Sequence, residues 1–230
     1  MKLIKNTQDL LTSLKLDAKS GLPIRNFQID SRKVTKNSVF FGLTGSNEDG
    51  SLYAKDAIRK GASLAIVKKS KIFNPSVKSS KIILVKSPEK SLVESAKVAM
   101  GRYKGNVIGV TGSNGKTTTK NILKNCIKNS YATFQNYNNE IGLPLCALEL
   151  DSKNTSAIFE MGATKLGDID FLSNIIKPNI GIITHIGHSH LDGLNSVRGV
   201  LEVKSELISN IKKDGIAIVP DGKYLNHWKK

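Results

Sequence analysis

The sequence predicts an α/β protein of two units, each built on a mainly parallel sheet covered by helices. Three observations lead there. Short apolar segments rich in β-branched and aromatic residues alternate with helical patterns along most of the 230 residues. The apolar segments are nearly continuous rather than alternating with polar residues, as strands buried on both faces are. The rhythm also changes once, near residue 105, where a long helical pattern meets a glycine and a run of strand–helix–strand units begins.

In the first unit, SVFFGL (38–43), ASLAIVKK (62–69) and KIILVK (81–86) read as strands, and 51–61 reads as a helix closed by Gly61. The segment 87–105 is a helix by its end signals. Ser87 is placed to cap it, Pro88 takes the first helical position, Glu89 lies in the first turn and Gly105 follows the end. From Asn106 onward, VIGVT (107–111) is a strand, 116–130 a helix, SAIFEMG (156–162) a strand, 168–177 a helix, 180–187 a strand, 196–215 a helix and 216–220 a strand.

Composition narrows the function classes. Hydrophobic residues make up 39% and charged residues 23%, as in an ordinary globular protein. No apolar run approaches the ~20 residues that span a bilayer, and the N-terminus has no signal-peptide core. Cys126 and Cys146 offer neither a disulfide framework nor a C-x-x-C pair, which suits a reducing cytosol, and both fall in helical patterns as small core residues. The net charge of +16 invites a nucleic-acid reading. Against it, only five of the 35 basic residues are arginine, they are scattered, and no basic stretch is interleaved with aromatics.

The chemistry concentrates in VTGSNGKTTTK. A strand ending at Thr111 passes through Gly112, Ser113, Asn114 and Gly115 into a helix that opens with Lys116, Thr117 and Thr118. Glycines let backbone N–H groups surround phosphate oxygens, the helix N-terminus adds partial positive charge, Lys116 brings a full cation and Thr117 a hydroxyl suited to Mg²⁺. The spacing is shorter than the usual G-x-x-x-x-G-K-[ST], since Val110 stands where the first glycine would be. Glu160 ends an apolar strand, the edge at which parallel sheets meet their ligands. THIGHSHLDG holds three histidines, but their spacing and the lack of a supporting carboxylate argue against a zinc site.

The T-G-x-x-G-K-T loop, NYNNEIGLP (136–144), the stretch 160–196 and the DSR and GSNEDG segments near residues 30–50 together resemble the Mur ligase superfamily, from about Asp30 to the C-terminus. The resemblance is strongest to the member that joins D-alanyl-D-alanine to UDP-N-acetylmuramoyl-tripeptide. It implies a small N-terminal α/β domain (1–104) that binds the uridine nucleotide and a truncated P-loop ATPase domain (105–230). It implies ATP and two Mg²⁺ as cofactors, with an acyl phosphate as the intermediate. Gly112 to Thr118 would bind ATP, with Lys116 on its β- and γ-phosphates. Thr117, Glu160, His190 and Lys204 (as a carbamate) would hold the metal. Ser31, Arg32, Ser46, Asn47, Asn138 and Asn139 would contact the substrate. Lys116, Lys204 and His190 would be the catalytic set.

Taken without the resemblance, Lys204 is one lysine of an amphipathic helix, and 136–142 is a turn-rich loop. The uridine loop also departs from the common D-G-H-x-F, with Asp49-Gly50-Ser51-Leu52-Tyr53 in its place. The composition signals read the protein as cytoplasmic, without a nucleic-acid or membrane partner, and the resemblance implies an enzyme that is usually monomeric. It implies that this chain is a fragment that does not ligate alone, with an interrupted sheet whose edge favours association. A ligase adding the third residue, which NNEIGLP argues against, and an ATP-binding module without ligase activity are the alternatives.

Overall fold

The computed structural model of the chain describes residues 2–17, 21–45, 48–69, 80–188 and 196–229. These divide into two compact units, Met1–Arg102 with Ala147–Asp151, and Tyr103–Cys146 with Ser152–Lys230.

The first unit contains α1 (Thr7–Ser13), β1 (Asn26–Gln28), β2 (Ser38–Gly42), α2 (Ala54–Arg59), β3 (Leu64–Lys68), β4 (Ile82–Val85) and α3 (Pro88–Arg102), with short 3-10 turns at Ser31–Lys33 and Gly50–Tyr53. Its sheet has the order β1-β2-β3-β4, and every pair is parallel. All five residues of β2 are buried, as a strand covered on both faces requires. Phe40 packs with Ala54, Ala57, Ala65 and Val67 under α2, and α3 turns Leu92, Ala96 and Ala99 inward at helical spacing. Complete burial of a phenylalanine such as Phe40 contributes about 2–3 kcal/mol. The end signals of α3 perform as expected: the Ser87 hydroxyl accepts the Lys90 N–H at 3.1 Å and donates to Glu89 at 2.7 Å.

The second unit runs β5 (Asn106–Thr111), α4 (Lys116–Cys126), β6 (Ser130–Ala132), the start of α5 (Gly142–Glu149, whose residues from Ala147 onward fall in the first unit), β7 (Ser156–Glu160), α6 (Asp168–Ile176), β8 (Ile180–Ile183), α7 (Val197–Ser209), β9 (Ile216–Ile218) and α8 (Leu225–Trp228). The strand order is β6-β7-β5-β8-β9, again parallel throughout. Helix α4 covers one face, over Ile108, Val110 and Ile158, while α6 and α7 pack on each other and against β5. From β5 the chain crosses to β6 at one edge, returns to β7 beside β5, and then passes to β8 on the other side of β5, so the strand order switches direction there. The carboxyl ends of these three adjacent strands therefore open a crevice, the usual ligand position in such sheets.

Several expectations are corrected. The helix expected over 116–130 stops at Cys126, and Ser130 already pairs in β6. Asn129 takes a left-handed conformation (φ 57°) there, and the Ser130 hydroxyl donates to the Lys124 carbonyl, closing the turn. The strand expected over 180–187 ends at Ile183, because Thr184 to Gly187 turn away to line the glycine loop. Cys126 is exposed at its helix end rather than in the core, whereas Cys146 is buried. The expected loop character of 136–142 gives way at Gly142 to α5, while β1 and β6 are three-residue strands too short to show a periodicity. The Trp228 indole N–H donates to the Ser205 hydroxyl at 2.9 Å. Among the described residues, no helix is long and apolar enough to cross a membrane.

Candidate nucleotide-binding site

The loop between β5 and α4 is built around two glycines with positive φ, Gly112 (148°) and Gly115 (79°). At Gly112 a Cβ would sit 2.1 Å from the Thr184 hydroxyl, so the close approach itself demands glycine. At Gly115 a Cβ would make only ordinary contact with Thr184, 3.8 Å away, and the left-handed turn into the helix is what demands glycine. The loop is laced to the segment after β8. Thr184 donates its hydroxyl to the Asn114 carbonyl at 2.5 Å, Ser113 N–H donates to the His185 carbonyl at 2.8 Å, and the Ser113 hydroxyl exchanges bonds of 3.0 Å with Gly187. Such cross-ties preorganise the loop before any ligand arrives.

Lys116 opens α4 and folds its ammonium back onto the Gly112 carbonyl at 2.7 Å, with the Ser113 carbonyl at 3.4 Å. Burial lowers its pKa, and the Glu160 charge works in the opposite direction. The next residue, Thr117, donates its hydroxyl to Glu160 Oε2 at 2.9 Å. Thr118, on the exposed side of the same turn, lies at the surface.

Glu160 is the hub. It is 3% exposed at the end of β7, and each carboxylate oxygen has a partner. Asn138 donates its amide to Oε1 at 3.0 Å, and Lys120 approaches Oε2 to 3.5 Å. Its backbone N–H donates to the Thr133 hydroxyl. The expected residues Gly112 to Thr117, Asn138 and Glu160 thus meet at one end of one sheet. Lys120 belongs to the group and was absent from the expected set. The available signal was its position four residues after Lys116, which puts both on one face of α4.

Asn139 lines the same crevice, but its side-chain amide oxygen Oδ1 accepts the Gly142 N–H at 2.9 Å and so caps α5. The adjoining cavity holds about 700 Å³ and is bounded by Lys116, Asn138, Asn139, residues 162–168 and Phe171. Lys204 on α7 is 1% exposed. Burial, and secondly the Lys116 charge, bring its pKa down to about 8, opposed by Asp168 and Glu206. His190 lies outside the described residues.

In the first unit, Ser31 is buried at the start of the 3-10 turn, and Lys60 donates to its carbonyl at 3.1 Å. Arg32 forks onto Asp30, with Nε and Nη2 each at 2.9 Å from a carboxylate oxygen. That pairing drives the Asp30 pKa down to about 2. Arg32 is therefore engaged in a local pair, with 86% of its side chain exposed. Ser46 and Asn47 lie outside the described residues.

The oxygen donors suit a hard cation: a threonine hydroxyl and a carboxylate oxygen 2.9 Å apart are ligands of the type Mg²⁺ takes. The glycine loop, helix N-terminus and Lys116 suit the phosphates of a nucleotide.

The pattern of the Mur ligase middle domain matches residues 110–230, and that of the Mur ligase family catalytic domain matches residues 23–104. A UDP-N-acetylmuramoyl-tripeptide–D-alanyl-D-alanine ligase of Buchnera aphidicola is 37% identical over all of this chain and half of its own. The crystal structure of MurF from Acinetobacter baumannii superposes with a TM-score of 0.82 at 28% identity, covering 95% of this chain and 49% of that one. MurF ligase from Thermotoga maritima, in complex with ADP, gives 0.74 at 34% identity over 85% of this chain and 45% of its own. The chain spans about half the length of these relatives. With both units matched, it belongs to the Mur ligase family.

Proposed function

We propose that the chain carries the sugar-nucleotide and ATP-binding parts of a cytoplasmic ligase that joins D-alanyl-D-alanine to UDP-N-acetylmuramoyl-tripeptide. Residues 1–104 would take the sugar nucleotide and residues 105–230 the ATP. The observation that carries this reading is the phosphate loop with Thr117 hydrogen-bonded to Glu160 across two adjacent strand ends. The specific step follows the activity for which a relative 37% identical over the whole chain is named.

Amide formation from a carboxylate needs activation, because a carboxylate is a poor electrophile. Phosphoryl transfer from ATP converts it to an acyl phosphate, which the amine then attacks with loss of phosphate. In such transfers most of the catalysis is positioning and charge neutralisation. The loop from Gly112 to Thr118 would hold the nucleotide, and Lys116 would leave the Gly112 carbonyl to meet its β- and γ-phosphates. Thr117 and Glu160 would hold one Mg²⁺, and His190 with Lys204 a second. Bound Mg²⁺ would supply neutralisation of phosphate charge. Lys204 suits its role as a carbamate, since a buried amine whose pKa falls to about 8 keeps a neutral fraction able to add CO₂. Asn138 would aim Glu160, Asn139 would face the sugar or peptide, and Ser31, Arg32, Ser46 and Asn47 would serve the uridine diphosphate.

The test is a calorimetric titration of the chain with UDP-N-acetylmuramoyl-tripeptide, with UDP-N-acetylmuramoyl-dipeptide and a single-stranded oligonucleotide as controls at the same ionic strength. Tighter binding of the tripeptide than of the dipeptide, and none of the oligonucleotide, supports the D-Ala-D-Ala-adding step. Preference for the dipeptide points to third-residue addition. Binding of MgADP without either sugar nucleotide leaves an ATP-binding module.

A further inference from the structure

We propose that Lys120 is a positioning residue that acts as the resident counter-cation of Glu160, holding the carboxylate paired and aimed into the crevice before a divalent cation arrives. The inference rests on the reading of Glu160 as a metal-facing carboxylate and goes beyond it by assigning the group that maintains it.

Lys120 is the only lysine besides Lys204 among the buried residues of the described structure, at 3% exposure. Its ammonium reaches two acceptors, Glu160 Oε2 at 3.5 Å and the Gln135 carbonyl at 3.1 Å. Gln135 adopts a left-handed conformation (φ 45°) that presents this carbonyl to the helix. An ionised carboxylate with a side-chain exposure of 4% is costly unless paired and hydrogen-bonded. Thr117 and Asn138 donate hydrogen bonds but carry no charge, so at contact distance the compensating charge comes from Lys120. Lys116 contributes at longer range, and its ammonium is bonded to loop carbonyls instead.

The helix geometry explains how one element serves both ends of the chemistry. Lys116 and Lys120 stand four residues apart on one face of α4, the first turned to the loop and the second to Glu160. Thr117 lies between them in sequence and bonds the same carboxylate oxygen that Lys120 approaches. A divalent cation arriving at Oε2 therefore meets a carboxylate already compensated. Part of the electrostatic gain of metal binding is present in the metal-free protein.

This yields a larger response to metal in the absence of the lysine. Thermal unfolding of the wild-type chain, Lys120→Met and Lys120→Arg is compared with ADP present throughout, in EDTA and then in excess MgCl₂. With EDTA, Lys120→Met should melt lower by on the order of 5 °C or more, because it leaves Glu160 buried and unpaired. Mg²⁺ should then raise its melting temperature more than that of wild type, and Lys120→Arg should restore the smaller wild-type response. Equal or smaller Mg²⁺ shifts in Lys120→Met overturn the proposal, since a packing role moves both conditions alike. Mg²⁺ shifting none of the three overturns it together with the metal reading. If Lys120→Met does not fold, the double variant Lys120→Met/Glu160→Gln decides: recovery of folding supports the charge pairing, and failure to recover refutes it.

Discussion

Two ion pairs in this chain use the same chemistry in opposite settings. Arg32 and Asp30 sit two residues apart in the first unit, form two hydrogen bonds of 2.9 Å, and leave the guanidinium 86% exposed. Lys120 and Glu160 in the second unit come from a helix and a strand, meet at the longer distance of 3.5 Å, and are each 4% exposed. The better geometry belongs to the weaker contributor to stability. An exposed pair moves a pKa but is screened by water, whereas a buried pair is costly to break because its survivor stays desolvated. Proximity to a charge partner therefore says less about importance than what surrounds both partners.

The largest effect should come from breaking the buried pair on its acidic side. Glu160→Ala leaves Lys120 buried without its counter-charge, and urea unfolding should show a loss of about 3–5 kcal/mol. Next in size, Lys116→Ala should weaken ADP binding about 100-fold by calorimetry, the loss of charge-assisted contacts to phosphate, with little change in unfolding. A loop that bound ADP equally well without Lys116 would not be a phosphate loop.

Lys204 offers a pH test of the same contrast. Its folded pKa of about 8 lies below the ordinary lysine value of 10.5, so between these pH values the unfolded chain binds more protons. Stability should rise as pH climbs from about 8 toward 10.5, and the penalty for the charged form should be fully present below 8. The size is roughly 2–3 kcal/mol for this almost fully buried group. In CO₂-free buffer, Lys204→Met should be more stable than wild type at pH 7.5, and the advantage should shrink on approach to pH 10.5. A constant difference would contradict the burial argument.

The smallest effect is expected at the exposed pair. Asp30 has its pKa lowered to about 2 by Arg32, so its contribution is present above the ordinary value near 3.8 and disappears as pH falls toward 2. After solvent screening it is worth under about 1 kcal/mol, and Asp30→Asn should be nearly silent in unfolding at pH 7. A loss comparable to that of Glu160→Ala would erase the distinction between the two settings.

Much of this architecture was readable from local patterns. The buried strands of both sheets, the Ser87–Pro88 start of α3 and the Gly112–Thr117 loop each depend on residues adjacent in the chain, so their chemistry is written in short stretches. The helix end at Cys126 was not, because Lys124, Asn129 and Ser130 stop it through a turn that leads into a strand pairing with distant Ser156. For the same reason the three-residue β1 and β6 escaped notice: a parallel neighbour supplies their register, and their own side chains carry too little pattern.

At the candidate site the division is sharper. The run from Gly112 to Thr118 announces a phosphate-binding turn by itself, since positive-φ glycines, a helix start and a Lys-Thr pair are local properties. Which lysines matter beyond it is a different kind of fact. Lys120 and Lys204 look like solvated lysines among the many in this chain, yet folding removes both from water. One then faces Glu160 at the end of a distant strand, and the other feels Lys116 across the crevice. Burial and the pairing of charges far apart in sequence arise only when sheet and helices close on one another, and tertiary structure alone decided them.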